Sequence, residues 1–397
     1  MPPGVFERDF DVALFGATGF TGSLTAEYLA RNAPEGCRWA LAGRDQGRLG
    51  AVRDRLATAD PALSGLSLLH ADPSDAASLA ELASRARVVV TTVGPYAGRG
   101  EPLVAACAEA GTDYADLCGE PEFMDRMYVA HHHQAVRSGA RIVHACGFDS
   151  IPHDLGVLFT VQQLPAGVAL RVRGMLRTNA AFSGGTFAST LSAFARTGET
   201  RQARAARREL EGRPVGRMVT TTPGRPHFDR LAGFWLVPLP TIDPRVVQLS
   251  AAALERYGPD FSYSHYAAVK RLPVAVGGIA AAGLLGAGAR LDPVRRFLLS
   301  RFPQGEGPSE ERRARSYFSV RFIGEGGGRR VFTEVRGGDP GYTETAKMLT
   351  EAALSLAFDD NPPTAGQVST ATAMGGHLTE RLRRAGMTFT VLRSERT

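Results

Sequence analysis

The chain has 397 residues, of which 44% are hydrophobic and 22% charged, and it carries a formal net charge of +6. This composition is that of a folded globular protein and excludes a disordered or fibrous chain. Only two lysines are present, Lys270 and Lys347, which argues against a lysine-rich nucleic-acid arm and against Schiff-base chemistry. The mild basic excess suits an anionic cofactor, an acidic carrier protein or a lipid headgroup surface.

The cellular compartment is indicated by the first ten residues and by the four cysteines. Residues 1–10 lack the long apolar core of a signal peptide. The cysteines show neither metal-ligand spacing nor a paired framework, so we predict reduced, mostly buried thiols. We therefore expect a cytoplasmic protein, with a peripheral position on the inner membrane face as the alternative.

Short aliphatic runs alternate with helical patterns over residues 1–150. Strands and helices in this alternation form βαβ units, which predicts an α/β fold with a doubly wound parallel sheet of the Rossmann type. The predicted strands are residues 10–15, 38–42, 66–71, 86–93, 113–117 and 140–146, and the predicted helices are residues 20–32, 46–58, 75–85, 100–110 and 122–138.

The pattern changes after Ile151, where loops lengthen and β-like stretches return. This pattern of longer loops and β-like stretches predicts an α+β domain for substrate binding or dimerisation. Later in the chain, residues 343–358 have the spacing of an amphipathic helix. The remaining predicted elements are a helix at 199–213, β-like stretches at 316–323 and 329–335, and a closing helix and strand within 376–391.

Residues 16–22 read GATGFTG directly after the first predicted strand. In this variant of the dinucleotide fingerprint, the first glycine permits a turn, the second lets the backbone approach a pyrophosphate, and the third lets helix pack on strand. The N–H groups at the following helix N-terminus attract phosphate. A purely structural turn is the alternative. The residues predicted to bind a dinucleotide here are Gly16, Ala17, Thr18, Gly19, Phe20, Thr21 and Gly22.

The residues after the second strand distinguish between the dinucleotides. An NAD-binding chain offers a carboxylate there for the ribose 2′-hydroxyl, whereas this chain offers Arg44. A guanidinium can bind a 2′-phosphate with two hydrogen bonds, which predicts NADP(H). We assign Asp45 to the N-cap of the next helix. Asp72, Gly94 and Pro95 are predicted to lie beside the cofactor, with helix capping as the alternative for Asp72.

Nine motifs run in order along nearly the whole chain. They are GATGFTG (16–22), LAGRD (41–45), TVGPY (92–96), YADLCGE (114–120), CGFDSIPHDLG (146–156), SGGT (183–186), GEGPSEE (305–311), GGDPGYTETAKML (337–349) and ERLRRAGMTF (380–389). Together they resemble the saccharopine dehydrogenase-like oxidoreductases, and most closely the trans-acting enoyl reductases of actinobacterial lipid-linked polyketide synthesis. The resemblance implies a Rossmann domain (1–150), an α+β domain (151–342) and a C-terminal segment that returns to the first domain (343–397).

The resemblance also implies an activity, which is NADPH-dependent reduction of an α,β-unsaturated acyl or polyketide thioester. The substrate would be lipid-like and presented by a carrier protein, and no nucleic-acid partner is expected. Two alternatives stay open. One is reduction of an imine or a carbonyl, as in the saccharopine branch, and the other is a membrane-associated dinucleotide-binding protein with little catalysis.

Enoyl reduction requires a hydride for Cβ, a donor to the enolate oxygen and a proton for Cα. We expect the donors at the carboxyl ends of strands four to six, where open α/β sheets bind ligands. The structural alternatives are helix caps for Asp149 and Ser150 and an arginine partner for Glu120. The predicted catalytic residues are Tyr96, Asp149, Ser150 and His153, and further candidates are Asp116, Glu120 and Asp154.

Residues 272–289 contain no charge and are flanked by Lys270, Arg271 and Arg290. Their five glycines and one proline make a poor membrane span. A buried helical hairpin or a homodimer contact is one interpretation; shallow membrane insertion or an acyl-chain lining is the other. Three arginines that would suit anionic headgroups or an acidic carrier follow closely, at Arg295, Arg296 and Arg301.

Two local patterns imitate other sites. Tyr266-x-x-x-Lys270 has the spacing of the catalytic pair of short-chain dehydrogenases, but it lies outside the predicted Rossmann domain, so we interpret it as a coincidence. The run His131-His132-His133 has no carboxylate or cysteine partner at ligand spacing. No metal site is predicted.

Overall fold

The computed structural model describes residues 8–180, 196–212, 214–288, 293–294, 297 and 307–397. Within them, the strands form one sheet of seven strands and one of eight. Several predicted features lie outside the described residues: the motif SGGT (183–186), the first two residues of GEGPSEE (305–311), residue 289, and Arg290, Arg295, Arg296 and Arg301.

The regular elements follow the predicted alternation of strand and helix. The strands are β1 (Phe10–Phe15), β2 (Trp39–Gly43), β3 (Ser67–His70), β4 (Ala86–Thr91), β5 (Asp113–Asp116), β6 (Arg141–Val143), β7 (Leu170–Thr178), β8 (Met218–Thr221), β9 (His227–Asp229), β10 (Phe234–Pro238), β11 (Asp260–Val269), β12 (Phe318–Gly326), β13 (Arg329–Gly337), β14 (Gly366–Val368) and β15 (Thr388–Arg396). The helices are α1 (Phe20–Asn32), α2 (Gln46–Ala59), α3 (Ala76–Arg85), α4 (Tyr96–Arg99), α5 (Glu101–Ala110), α6 (Pro121–Ser138), α7 (Ile151–Gln162), α8 (Thr197–Glu211), α9 (Asp243–Ala253), α10 (Leu272–Gly288), α11 (Glu310–Ala314), α12 (Thr343–Phe358), α13 (Thr370–Ala373) and α14 (Gly375–Arg384).

The first sheet is parallel throughout and has the strand order β14-β6-β5-β4-β1-β2-β3. Strands β1 to β6 therefore have the order of a doubly wound dinucleotide-binding domain, and the order reverses between β1 and β4. This arrangement confirms the predicted fold class. Strand β14, which was not predicted, adds a seventh strand beside β6.

Both faces of the first sheet are covered, as expected for parallel strands joined by helices. On β1, Val12 and Leu14 point into one apolar core, whereas Ala13 and Phe15 point into a second core on the opposite face. The continuous aliphatic run of β1 thus results from burial on two sides.

The second sheet is mixed and has the order β15-β13-β12-β7-β11-β10-β9, with β8 also paired to β11. Strand β11 runs parallel to β7 and β8, and its neighbour β10 is antiparallel to it. Tyr266 lies in β11, not on a helix of the first domain. The interpretation of Tyr266-x-x-x-Lys270 as a coincidence is therefore confirmed.

Two helices connect the sheets into one apolar core. Helix α7 follows the first sheet and packs on β7, β12 and β13 of the second, while α12 packs on α1, β4 and β5. The C-terminal segment divides between the sheets, because β14 joins the first and β15 pairs with β13 of the second.

Helix α12 differs from its predicted amphipathic pattern. Its polar residues Glu344, Thr350 and Ser355 are buried together with the apolar ones. Glu344 accepts a hydrogen bond from Lys347 and Ser355 bonds to Asn361, whereas the Thr350 hydroxyl has no hydrogen-bond partner in the described structure. The helix is therefore central, with almost no solvent-facing side.

Helix α10 contains most of the uncharged segment predicted from the sequence. It contacts β10 and β11, yet many of its apolar side chains are open to solvent, with Val276 57% and Leu284 75% exposed. Across the described residues, no helix combines the length and apolarity needed to cross a bilayer.

Candidate active site

The glycine turn connects β1 to α1 at the point where the strand order reverses. Gly16 has a φ of +97°, and a Cβ on it would lie 2.7 Å from Val93 Cγ2 and 2.8 Å from Thr92 Oγ1. A Cβ on Gly22 would lie 2.1 Å from the Gly16 carbonyl oxygen. The first and third glycines are therefore required by the protein's own packing.

Gly19 has a different environment. A Cβ there would meet only the Gly16 oxygen, at an ordinary 3.6 Å. Gly19 is the N-cap of α1, and no side chain caps this helix end. The N–H groups of the first turn are thus available to an anion, and the lack of a side chain on Gly19 leaves room for it. This geometry fits a dinucleotide pyrophosphate.

Arg44 follows β2 with its side chain exposed, and in the described part of the chain no carboxylate lies within ion-pair distance of it. Asp45 caps α2 by accepting a 2.9 Å hydrogen bond from the Arg48 N–H, which confirms its predicted role. Arg44 is therefore free to bind a phosphate.

Asp72 lies in the exposed loop after β3. Its carboxylate accepts hydrogen bonds from the Ser74 hydroxyl at 2.6 Å and from the Ser74 N–H at 2.8 Å. These bonds, with a smaller contribution from Arg44, lower the pKa of Asp72. Asp75, rather than Asp72, is the N-cap of α3. The predicted cofactor contact of Asp72 stays a prediction.

Three residues beside the glycine turn were missed from the sequence. Arg48 donates to the Thr18 carbonyl at 3.3 Å, Arg313 lies over the Phe20 ring at 5.4 Å from its centroid, and Tyr342 packs edge-on against Phe20 at 5.0 Å. Arg48 lies in the first turn of α2, four residues after Arg44, and could have been found as a second basic residue close to the end of β2. Arg313 and Tyr342 come from distant sequence and carry no local signal.

Tyr96 begins α4 just after Gly94 and Pro95. It is 6% exposed, and its hydroxyl donates to the Thr91 carbonyl and accepts from the Leu117 N–H, both at 3.1 Å. Burial raises the pKa of Tyr96 well above its usual range. Contact with a substrate would require the hydroxyl to leave both partners, so this geometry favours a role in holding the loop.

Asp116 ends β5 and Glu120 follows it, and both side chains also bind the protein's own backbone. The Glu120 carboxylate accepts from the N–H groups of Tyr96 and Ala97, each at 3.0 Å, and so caps α4 in place of the predicted arginine pairing. Burial raises the pKa of Glu120. Asp116 is fully buried and lies 2.6 Å from His144 Nδ1.

Asp149, Ser150 and Asp154 follow β6 at the start of α7. Ser150 is fully buried at the N-cap position, but its hydroxyl does not cap the helix and has no hydrogen-bond partner in the described structure. Asp154 is also fully buried and accepts from Ser250, Thr370 and the Ala371 N–H. Burial raises the pKa of Asp154. Asp149 is only half-buried.

His153 lies in a buried group with two residues that sequence reasoning missed. Its Nδ1 is 2.8 Å from Asp243 Oδ1, and His265 Nε2 is 3.6 Å from Asp243 Oδ2. Burial lowers the pKa of His265 to about 3. Burial would raise the pKa of Asp243, but the neighbouring His153 and His265 outweigh it and hold that pKa well below its usual range.

The two remaining groups singled out from the sequence are the histidine run and the cysteines. The His131 to His133 run lies on α6, where His132 accepts from the Gln367 N–H at 3.1 Å and stacks on Tyr128. The four cysteines are unpaired in the structure, and Cys107, Cys118 and Cys146 are buried, as expected; that the thiols are reduced stays a prediction.

Comparison with known families supports the cofactor inferred from the glycine turn and Arg44. The family described as "Saccharopine dehydrogenase NADP binding domain" matches residues 12–143. This range spans the parallel sheet from β1 to β6, including Gly16, Gly19, Gly22 and Arg44. NADP(H) is thus the cofactor of this domain.

Known relatives match the chain over almost its entire length. A putative trans-acting enoyl reductase of Mycobacterium tuberculosis (strain ATCC 25618 / H37Rv) is 39% identical, over 97% of this chain and 98% of the relative. A trans-acting enoyl reductase of Mycobacterium ulcerans (strain Agy99) is 36% identical, over 98% and 99%. The matched part of this chain includes the strands of both sheets.

A solved structure shows the same fold. The apo saccharopine dehydrogenase (L-Glu forming) of Saccharomyces cerevisiae superposes with a TM-score of 0.56 at 13% sequence identity, covering 97% of this chain and 100% of that one. The chain therefore belongs to the saccharopine dehydrogenase-like, NADP(H)-dependent oxidoreductases, within the family of the trans-acting enoyl reductases.

Proposed function

We propose that this chain is a trans-acting enoyl reductase that uses NADPH to reduce the double bond of an α,β-unsaturated acyl or polyketide thioester in lipid synthesis. The similarity to mycobacterial trans-acting enoyl reductases over nearly the whole of both chains carries the proposal. A match limited to residues 12–143 would support cofactor binding alone. The observed match also spans the second sheet and α12, which lie beyond the cofactor domain.

The cofactor's position follows from the glycine turn and the end of β2. The uncapped start of α1 would hold the pyrophosphate and Arg44 the 2′-phosphate. Gly94 and Pro95, after β4, would border the nicotinamide half. When bound, NADPH supplies the hydride that the reaction needs at Cβ.

The protein's own residues would orient the thioester and stabilise charge on its carbonyl oxygen. Among the four predicted catalytic residues, Tyr96, Ser150 and His153 are 6%, 0% and 1% exposed. Asp149 is half-buried at the carboxyl end of β6, where open α/β sheets bind ligands. We therefore retain Asp149 as the group predicted to face the substrate.

The proposed partners follow from the lipid-like substrate. A carrier protein would present the acyl chain, and the exposed apolar side of α10 would rest on the inner membrane surface. Lys270 and Arg271, directly before this helix, would face the anionic headgroups.

The proposal is tested by measuring NADPH oxidation with carrier-linked enoyl thioesters and, separately, with α-keto acid plus amine mixtures. We expect turnover with the enoyl thioesters only, and none in the Gly19→Val variant, whose side chain would fill the pyrophosphate position. Turnover only with the keto acid and amine mixtures would instead support imine reduction. A protein that binds NADPH but turns over neither set would be a binding protein.

A further inference from the structure

A buried group of three metal-ligand side chains lies where α7, α9 and β11 meet. His153 is in the first turn of α7, Asp243 begins α9, and His265 is in β11. The three residues are 1%, 1% and 3% exposed. One nitrogen of each histidine and one oxygen of the carboxylate all lie within 4.8 Å of one another.

Several polar atoms of this group have no well-aligned hydrogen bond in the described part of the chain, although His153 Nδ1 lies 2.8 Å from Asp243 Oδ1. His153 Nδ1 and Nε2, Asp243 Oδ1 and His265 Nε2 are buried without an aligned hydrogen bond to any residue that the structure describes. Nearly all buried polar atoms in proteins have a partner, so several orphaned atoms around one point indicate a bound species. Burying polar atoms without partners costs free energy, and a hydrophobic residue at any of these positions would avoid that cost.

The donor set and its spacing fit a transition metal. Two imidazoles and one carboxylate are ligands that Zn²⁺ accepts, at about 2.0–2.2 Å each. Tetrahedral bonds of that length place neighbouring ligand atoms about 3.3 Å apart. His153 Nδ1 lies 2.8 Å from Asp243 Oδ1 and His265 Nε2 lies 3.6 Å from Asp243 Oδ2, so small side-chain movements would bring the three ligand atoms to this spacing.

The second ring nitrogen of His265 has the support that metal-binding histidines usually have. Its Nδ1 lies 3.1 Å from the Tyr263 hydroxyl, a contact that orients the ring and leaves Nε2 directed at Asp243. The rings of His153 and His265 meet edge-on at 4.7 Å, which keeps their nitrogens near one point.

We propose that His153, Asp243 and His265 bind a structural Zn²⁺ ion, with a trapped water as the fourth ligand. The ion would fasten α7, which leaves the cofactor sheet, to β11 of the second sheet through the start of α9. The three positions are far apart in sequence, which is why ligand spacing gave no sign of them. The proposal does not depend on the proposed enoyl reductase activity, since its readouts are metal content and stability.

The test begins with metal analysis of the full-length protein, purified without an affinity tag from zinc-supplemented medium. We expect about one zinc per chain, lost in His265→Ala and retained in His133→Ala, a matched control in the exposed histidine of the α6 run. Removing the ion with a chelator should lower Tm by several degrees, and added Zn²⁺ should restore it.

Because His265→Ala could fail to fold, Co²⁺ added to the chelator-treated wild-type protein gives a second readout. A site of this donor set should develop the visible absorption of tetrahedral Co²⁺, and Asp243→Asn should weaken it. Wild-type protein that retains no zinc after purification, shows no Tm change with chelator and develops no Co²⁺ absorption would overturn the proposal.

Discussion

At the scale of single residues, Arg44 is the residue predicted to select NADP(H) over NAD(H). Its exposed guanidinium follows β2 without a carboxylate partner in the described structure, so the whole group is available to the 2′-phosphate. We expect Arg44→Ala to weaken NADPH binding by about 1.5–3 kcal/mol, the range for hydrogen bonds to a charged group. This loss corresponds to about 10- to 150-fold in Kd. Fluorescence titration of both dinucleotides measures it.

NADH has no 2′-phosphate and serves as the internal control for Arg44→Ala, because its affinity should hardly change. Equal losses for NADPH and NADH would remove Arg44 from the 2′-phosphate position. In that case Arg48, which lies beside Thr18, would be the next residue to replace.

The glycines of the turn should respond differently to substitution. Gly19→Val should abolish binding of either dinucleotide but leave the fold intact, because the protein itself has room for a Cβ there. Gly22→Ala should lower Tm as well, since its Cβ would lie 2.1 Å from the Gly16 oxygen and the backbone must shift. Cofactor titration beside thermal unfolding separates the two effects. A Gly19→Val protein that binds NADPH normally would place the pyrophosphate elsewhere.

The limits of residue-level prediction are visible at the carboxyl ends of β4 and β5. The sequence places Tyr96 and Glu120 there correctly, as residues that follow strands. It does not show where the side chains point: the Glu120 carboxylate binds the start of α4, and the Tyr96 hydroxyl binds the end of β4. Position along a strand can thus be read from periodicity, whereas a polar side chain at that position serves the loop or the ligand according to contacts made by distant residues.

At the scale of elements, an ion pair joins the end of α12 to α14. Arg381 donates to both oxygens of Asp359, at 2.7 and 2.8 Å, and both side chains are largely buried. Burial would raise the pKa of Asp359, but the bonds from Arg381 outweigh it and lower that pKa. The folded-state pKa is therefore below the unfolded value of about 3.9, so the pair stabilises the fold above that pH and less as the pH falls further.

We accordingly expect Asp359→Asn to lower Tm by a few degrees at pH 7. The difference from wild type should stay constant down to about pH 5 and shrink toward zero as the pH falls through the lowered folded-state pKa of Asp359, below which this carboxylate is protonated in both states. Thermal unfolding followed by circular dichroism across this range measures it. A difference that stays undiminished in acid would mean that the pair acts through packing and not through charge.

Element prediction succeeded where a local pattern decides the structure and failed where tertiary burial does. The bounds of α1 and α12 match the predicted ranges, because the apolar spacing and the preceding turn define them. Strand β14 has three residues, too few for a pattern, and exists because β6 offers an unpaired edge. The burial of α12 on nearly all sides likewise depends on neighbours that the sequence does not reveal.

At the scale of the whole molecule, α7 and α12 make the two sheets one structure. Leu155 of α7, Met348 of α12 and Val320 of β12 belong to the same apolar core as β1. The predicted domain boundaries at residues 150 and 342 follow changes in the sequence pattern. The apolar core, however, contains residues from both sides of each boundary. Because α7 packs on the second sheet, His153 lies beside His265 of β11, and the histidine–carboxylate group could be found only in the folded chain.

At the surface of the molecule, the exposed side of α10 is an apolar feature that the core does not explain. Leu284 is 75% and Val276 57% exposed, and each would enter the acyl boundary if the protein rests on a membrane. Burying a side chain of this size contributes about 1.5–3 kcal/mol, so the Val276→Asp, Leu284→Asp variant should lose most of its binding to anionic vesicles in a flotation assay. Its Tm should stay near the wild-type value, because neither side chain is in the core, and NADPH binding should survive in the other sheet.

Leu392→Asp, at a leucine of β15 that is 45% exposed, is the matched control and should float as the wild type does. Wild-type protein that never floats would exclude the membrane contact, and a double variant that is insoluble would show that α10 is covered by protein in solution, as a homodimer contact would require.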